Sequence, residues 1–144
     1  MTGFALDDFL PYQLAVAAGR VSRGFAERYR AEFGITIPEW RVLAHLSAAG
    51  GPVSVREIHA RVDMDKSKVS RAAARLERAG LVAKAENSDD RRLVALTMTD
   101  EGAALVGRIV PLALDWQAEM LGRLGSEADV AAFRRVLARV IAAA

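Results

Sequence analysis

The residues best equipped for chemistry lie in one stretch, Asp65 to Leu81, and in a short loop after it, Asp89 to Arg92. From Lys66 to Arg78 five cations, Lys66, Lys68, Arg71, Arg75 and Arg78, stand against the single acid Glu77. The hydroxyls of Ser67 and Ser70 are interleaved with them. At helical spacing Val69, Ala72, Ala73, Leu76 and Ala79 fall on one narrow apolar stripe, which leaves the cations and hydroxyls on the other faces. A helix this short is marginal alone in water, so the stripe has to pack on something. What then faces outward suits a DNA major groove, because Arg and Lys meet phosphates and guanine edges and Ser meets either. A solvated basic helix is the competing account of the same residues.

Composition narrows the classes. The chain of 144 residues has a net charge of only +2, so the local excess of four positive charges in the basic stretch matters more than the total. Arginine outnumbers lysine 17 to 3, a ratio that suits bidentate contacts but that GC-rich coding bias largely explains. There is no cysteine, which excludes disulfides, thiol redox sensing and thiolate metal sites. The two histidines, His45 and His59, fall on different expected helices, and no cofactor or metal is expected. No G-x-S-x-G, P-loop, G-x-G-x-x-G or H-E-x-x-H occurs, and Asp89 beside Asp90 in a basic turn is no general acid/base pair, so the chain is not expected to be an enzyme. The N-terminus lacks a basic start and a long apolar run, and no 18 apolar residues run together, so the expectation is a cytoplasmic protein without a membrane span.

The basic stretch needs elements to hold it. Leu14, Ala18, Val21, Phe25, Tyr29 and Phe33 recur every three or four residues and predict a first helix over 7–33, with Pro11 in its first turn and Gly34 as its stop. Thr36 and Glu39 have capping-box spacing and open a helix from Pro38 to Ala48, which Gly50, Gly51 and Pro52 end. Ser54 and Glu57 repeat that spacing before a short helix to about Arg61 carrying Val55, Ile58 and Val62. After a brief turn Asp65 can cap the basic helix, and Gly80 closes it. Two capped helices this close, the second with a cationic outer face, make a helix-turn-helix.

Beyond Gly80 the period shifts towards two, and 81–86 and 92–98 read as strands joined by a charged tip, a wing. Thr99 caps a long helix to roughly Gly122, with Asp100 and Glu101 at its positive end and Pro111 as an expected kink. Ser126 and Asp129 suggest another cap, before a last helix with Val130, Phe133, Val136, Leu137, Val140 and Ile141 on one side. The fold class is therefore mainly α with a small β-hairpin wing. It is one domain, 1–144, in which a winged helix-turn-helix core at about 36–98 is flanked by helices at about 7–34 and 99–144. Those flanking helices exceed half the chain, and the core can cover only part of their apolar faces. A homodimer built from both termini is the expected remedy.

Together Ile37-Pro-Glu-Trp-Arg-Val-Leu-Ala-His-Leu46, the helix-turn-helix from Asp65 to Val82, the Asp89–Arg92 wing and Thr97-Met-Thr-Asp-Glu-Gly102 resemble the MarR family of winged-helix regulators over nearly the whole chain. The specific motifs are L-E-x-x-G-L-V at Leu76 to Val82 and the wing D-x-R at Asp90-Arg91-Arg92. Met98-Thr99 stands where the family has Leu-Thr, a departure conservative in volume. The resemblance implies a dimer whose recognition helices enter successive major grooves of double-stranded DNA and whose wings reach the flanking minor grooves. Ser67, Lys68, Ser70, Arg71 and Arg75 then face DNA. Arg92 takes the place of the wing arginine, Asp90 that of its orienting partner, and Arg91 adds charge at the same tip. A narrow A·T-rich minor groove concentrates negative potential, and a carboxylate two residues away on an extended strand could fix the guanidinium; an ordinary solvated turn aspartate is the alternative for Asp90.

The resemblance also implies a small aromatic or phenolic effector between the flanking helices and the winged core. Arg20, Tyr29, Trp40, His45 and Trp116 are the candidates to line its site, although aromatic residues at helical spacing more often belong to a core. The expected function is a sequence-specific, ligand-responsive repressor that binds a pseudo-palindromic operator as a homodimer. The alternative is a winged-helix protein-interaction module without specific DNA binding, which would have little reason to keep both the cationic helix face and Arg91 with Arg92.

Overall fold

A computed structural model describes residues 3–86 and 94–143. A 3-10 turn, Leu6–Asp8, precedes α1 (Leu10–Phe33) and α2 (Ile37–Ala49). There follow β1 (Val53–Ser54), α3 (Val55–Val62), α4 (Lys66–Arg78), β2 (Val82–Glu86) and β3 (Val94–Met98). Two further helices, α5 (Asp100–Arg123) and α6 (Glu127–Ala143), complete the chain. Among the described residues no helix is long and apolar enough to cross a membrane.

The helix ends mostly fall where the sequence punctuates. Thr36 and Glu39 form the full reciprocal box: Glu39 N–H donates to Thr36 Oγ1 (3.4 Å) and Thr36 N–H to Glu39 Oε2 (3.2 Å). Ser54 makes half of the second one, accepting from Glu57 N–H at 3.0 Å, while the Glu57 carboxylate pairs with Arg61 instead. Asp65 occupies the N-cap of α4 but makes no side-chain cap; its carboxylate accepts from the Ser67 hydroxyl. The expected first helix begins later than residue 7, because 6–8 form the separate 3-10 turn and α1 starts at Leu10. At the far end of α4, Leu81 N–H reaches Leu76 O and Gly80 N–H reaches Glu77 O, with Gly80 at φ +78°. This is a Schellman closure, which needs the left-handed conformation glycine adopts without strain.

The chain divides into two compact units, Met1–Ile109 and Val110–Ala144. The first holds the core. Val42, Leu43 and Leu46 of α2, Ile58 of α3, and Val69, Ala72, Ala73 and Leu76 of α4 pack with Val82, Leu96 and Val106 in one buried cluster. Four of the five residues of the expected α4 stripe are thus interior; Ala79 is instead the exposed C-cap. Burying one large aliphatic side chain is worth about 1.5–3 kcal/mol, which explains how so short a helix is held. A smaller cluster joins Ala26 and Tyr29 of α1 to Ile109 of α5.

The sheet has the order β1-β3-β2, all antiparallel. The two-residue strand β1 was not expected; it pairs Val53 with Leu96 and Ser54 with Ala95. The β2–β3 ladder runs from Val82 opposite Met98 to Glu86 opposite Val94, and the tip expected to form the wing, 87–93, lies outside the described residues. In the second unit α5 continues through Pro111, and Ser126 and Asp129 cap α6 reciprocally. No described side chain of that unit is fully buried, and Leu114, Phe133, Val136 and Ile141 remain about half exposed or more.

Candidate nucleic-acid interface

The geometry of α4 follows from its stripe. With Val69, Ala72, Ala73 and Leu76 turned into the core, Ser67, Lys68, Ser70 and Arg71 are exposed. The helix before it is set by the turn between them. His59 Nδ1–H donates to Met64 O, since a carbonyl oxygen can only accept, and Asp63 takes the left-handed conformation at φ +51°. Met64 itself is buried. The turn is therefore fixed at two successive residues, Asp63 and Met64, which fixes the direction in which α4 presents its cations.

Arg75, expected to face DNA, also has a partner within the fold. Its Nε–H donates to Glu39 Oε1 at 2.8 Å, and Glu39 is only 7% exposed. The same carboxylate accepts the Thr36 N–H through its other oxygen, so one acid closes the start of α2 and ties down α4. The Arg75 side chain remains 41% exposed, so it shares its surface between that acid and solvent. Sequence reading missed this pair because its members are separated by 36 residues. Asp90, Arg91 and Arg92, the expected wing contacts, lie outside the described residues.

A cleft of about 610 Å³ opens between α4 and the base of the hairpin. Arg56 of α3, Lys66 and Ser70 of α4, and Lys84 of β2 line it, over apolar surface from Val55, Ala73 and Val94. Of its cations, Arg56 and Lys84 drew no notice in the sequence, for they belong to separate elements and form no motif.

The residues expected to line an effector site are only partly brought together. Trp40 and His45 border an open cavity of about 400 Å³ with Arg41, Ala44 and Val62. His45 Nε2 is itself buried and makes no hydrogen bond among the described residues. Tyr29 instead belongs to an aromatic cluster, 4.8 Å from Phe25 and 5.9 Å from Trp40 between ring centroids. Burial pushes its phenol up to about 12, against the pull of Arg41 and Arg30 and with a further push from Glu39. Arg20 is exposed on α1, and Trp116 belongs to the second unit. Among the described residues no group of three or more metal-ligating side chains occurs.

A sequence profile of the MarR family matches residues 33–93, which span α2 to the hairpin. The HTH-type transcriptional regulator TtmR of Methylorubrum extorquens (strain PA1) is 31% identical over 133 residues, covering 83% of this chain and 68% of that protein. Among solved structures, one on regulation of DNA binding of Bordetella bronchiseptica BpsR by 6-hydroxynicotinic acid superposes with a TM-score of 0.83 at 24% identity, over 96% of this chain and 97% of that one. A mutant of E. coli MarR complexed with operator DNA superposes with a TM-score of 0.81 at 23% identity, over 96% and 99%.

Proposed function

The chain belongs to the MarR family of transcriptional regulators, and from that premise we propose a cytoplasmic, ligand-responsive repressor that reads a pseudo-palindromic operator as a homodimer. The observation that carries this reading is the face of α4. Lys68 and Arg71, with the hydroxyls of Ser67 and Ser70, project from a helix whose opposite side is anchored by fully buried Val69, Ala72, Ala73 and Leu76. An exposed polar face on a rigid element is what direct readout of base edges requires. Operator DNA in the E. coli MarR complex supports the same use of this fold.

Dimerisation is supported by the apolar surface at both ends of the chain. Phe4 and Leu10 are 72% and 55% exposed, and α6 buries no residue of its own. Apolar surface on this scale is uncommon in a monomer, and twofold pairing is the usual cover. For the effector, Trp40 offers an aromatic face and Arg41 a charge around one open cavity that His45 also lines. That combination suits a small aromatic acid, the class to which the 6-hydroxynicotinic acid of the BpsR structure belongs.

The test is selection of bound duplexes from a random-sequence pool at about 150 mM salt, where non-specific phosphate attraction is already weakened. Enrichment of a twofold palindrome with half-sites about 10 base pairs apart is expected. A pool that stays random, with and without added aromatic acids, overturns the reading. In the selected duplex Arg71→Ala should relax the preference at one base position per half-site, at a cost of about 1–3 kcal/mol. A uniform loss across all sequences would make Arg71 a phosphate contact instead.

A further inference from the structure

We propose that Glu39, an acid of α2, is a positioning residue for sequence reading: it aims the Arg75 guanidinium at one guanine of the operator. The inference rests on the DNA-binding reading above and adds a specificity-determining residue that does not itself meet DNA. Lys68, Arg71 and Arg75 recur at i, i+3 and i+7 and so form one line along α4. Among the described residues Lys68 and Arg71 make no ion pair, whereas Arg75 is tied to a second helix. Its Nε–H donates to Glu39 Oε1 at 2.8 Å, and its two terminal nitrogens make no hydrogen bond among the described residues. With its side chain 41% exposed, Arg75 still reaches solvent beyond its partner.

The acid is itself held in place. Thr36 N–H donates to its other oxygen, its own N–H donates to Thr36 Oγ1, and burial to 7% exposure keeps it away from a ligand on α4. A guanidinium is planar, so a bond at Nε fixes both the plane and the direction of the terminal N–H groups. Two such donors in a fixed fork match O6 and N7 of guanine. A long side chain that must be ordered on binding costs affinity, and one already held in the fold does not. The carboxylate also offsets one positive charge on the line of three, which weakens the phosphate attraction that every sequence shares. Both effects act in one direction. Glu39 lowers binding to any sequence and raises the preference at one base.

The experiment repeats the duplex selection with the parent, Glu39→Gln, Arg75→Lys, Arg75→Ala and the double variant Glu39→Gln/Arg75→Ala. The affinity of each for the parent's selected duplex and for a mixed-sequence duplex is then measured, with the active fraction counted by stoichiometric titration. Glutamine nearly matches glutamate in shape and lysine keeps a cation beside Glu39, so these two variants retain the fold. Arg75→Ala is expected to relax one guanine position per half-site, and Glu39→Gln and Arg75→Lys the same position, since lysine is a point charge without a fork. In Glu39→Gln the ratio of selected to mixed-sequence affinity should fall about 2- to 10-fold, the range for one long side chain left to be ordered on binding, with mixed-sequence binding kept or strengthened. In the Arg75→Ala background Glu39→Gln should change that ratio no further. A parent-like ratio in Glu39→Gln, an unchanged preference in Arg75→Lys, or no relaxed position in Arg75→Ala overturns the assignment while the DNA reading stands. An equal loss from Glu39→Gln in the Arg75→Ala background also overturns it, because α2 would then act by general loosening and not through this arginine. A parent that enriches no duplex removes both.

Discussion

Replacing Glu39 with glutamine changes one oxygen for nitrogen and removes one buried negative charge, with almost no change of shape. Both carboxylate oxygens are in use, one accepting from Arg75 Nε at 2.8 Å and the other from Thr36 N–H at 3.2 Å. A glutamine has one acceptor oxygen, so it can keep only one of these bonds. A hydrogen bond to a charged group contributes about 1.5–3 kcal/mol, and a helix cap about 1 kcal/mol. Arg75 is 41% exposed and recovers water when released, which places the loss near the lower end. The expected destabilisation is therefore about 1–2 kcal/mol.

Arg75→Gln should cost more, about 2–4 kcal/mol, because it leaves the Glu39 charge in a site only 7% exposed without its partner. Urea unfolding of the parent, both single variants and the double variant closes a cycle. Midpoints are compared at one protomer concentration, since the stability of the proposed homodimer would depend on it. With m at about 2 kcal/mol per molar, Glu39→Gln should move the midpoint by roughly 0.5–1 M. The double variant should cost clearly less than the sum of the singles, with a coupling of at least about 1 kcal/mol. A coupling below about 0.3 kcal/mol would mean that the pair behaves like a surface ion pair, and the reasoning that α2 holds α4 through one acid would be refuted.

Three other outcomes follow from the same structure. A Cβ on Gly102 would overlap Leu81 O and come within 2.8 Å of Met98 Cγ, whereas one on Gly107 meets nothing within 4 Å. In urea unfolding Gly102→Ala should therefore lose about 3 kcal/mol or more and Gly107→Ala gain up to about 1 kcal/mol; equal effects would refute the close packing of α5 on the sheet. Tyr29, with its phenol held at about 12 in the fold against an ordinary 10.0, contributes stability that is fully present below pH 10.0 and lost as the pH rises through that window. The gap between parent and Tyr29→Phe should change by up to about 1.4 kcal/mol per pH unit there, and parallel curves would count against the burial. Asp63, at φ +51°, should tolerate Gly but lose about 1–2 kcal/mol as Val; a stable Asp63→Val would contradict the turn geometry.

Most of the fold was legible because its boundaries are written in local chemistry. Thr36 with Glu39, the stop at Gly34 and the closure at Gly80 each use residues within a few positions, and each holds in the structure. Local signals were also where reading went too far. Asp65 has the right type for a cap, yet it bonds the Ser67 hydroxyl, since a short acid has several nearby donors to choose from. Ala79 continues the apolar spacing of α4, yet the helix ends before that spacing can bury it.

What sequence could not show depends on long-range encounters. The strand β1 has two residues, too few for any period to show, and exists because β3 offers it an edge. The partnership of Glu39 with Arg75, and of Arg56 with Lys84 around one cleft, comes from the packing of α2, α3 and the hairpin on α4. On the expected interface Ser67, Lys68, Ser70 and Arg71 are where spacing put them, and Arg75 is divided between an acid and solvent.

Ser54 has two duties at once. It is the last residue of β1, paired with Ala95, and its hydroxyl starts α3. The hairpin and the helix-turn-helix are thereby rigidly joined at a single residue, with no linker between them to lengthen or bend. Sequence drift in this chain can change which bases each element prefers, but the distance between the two is a fixed gauge. In the proposed homodimer, adaptation to an operator with different half-site spacing would have to come from the helices at the ends of the chain.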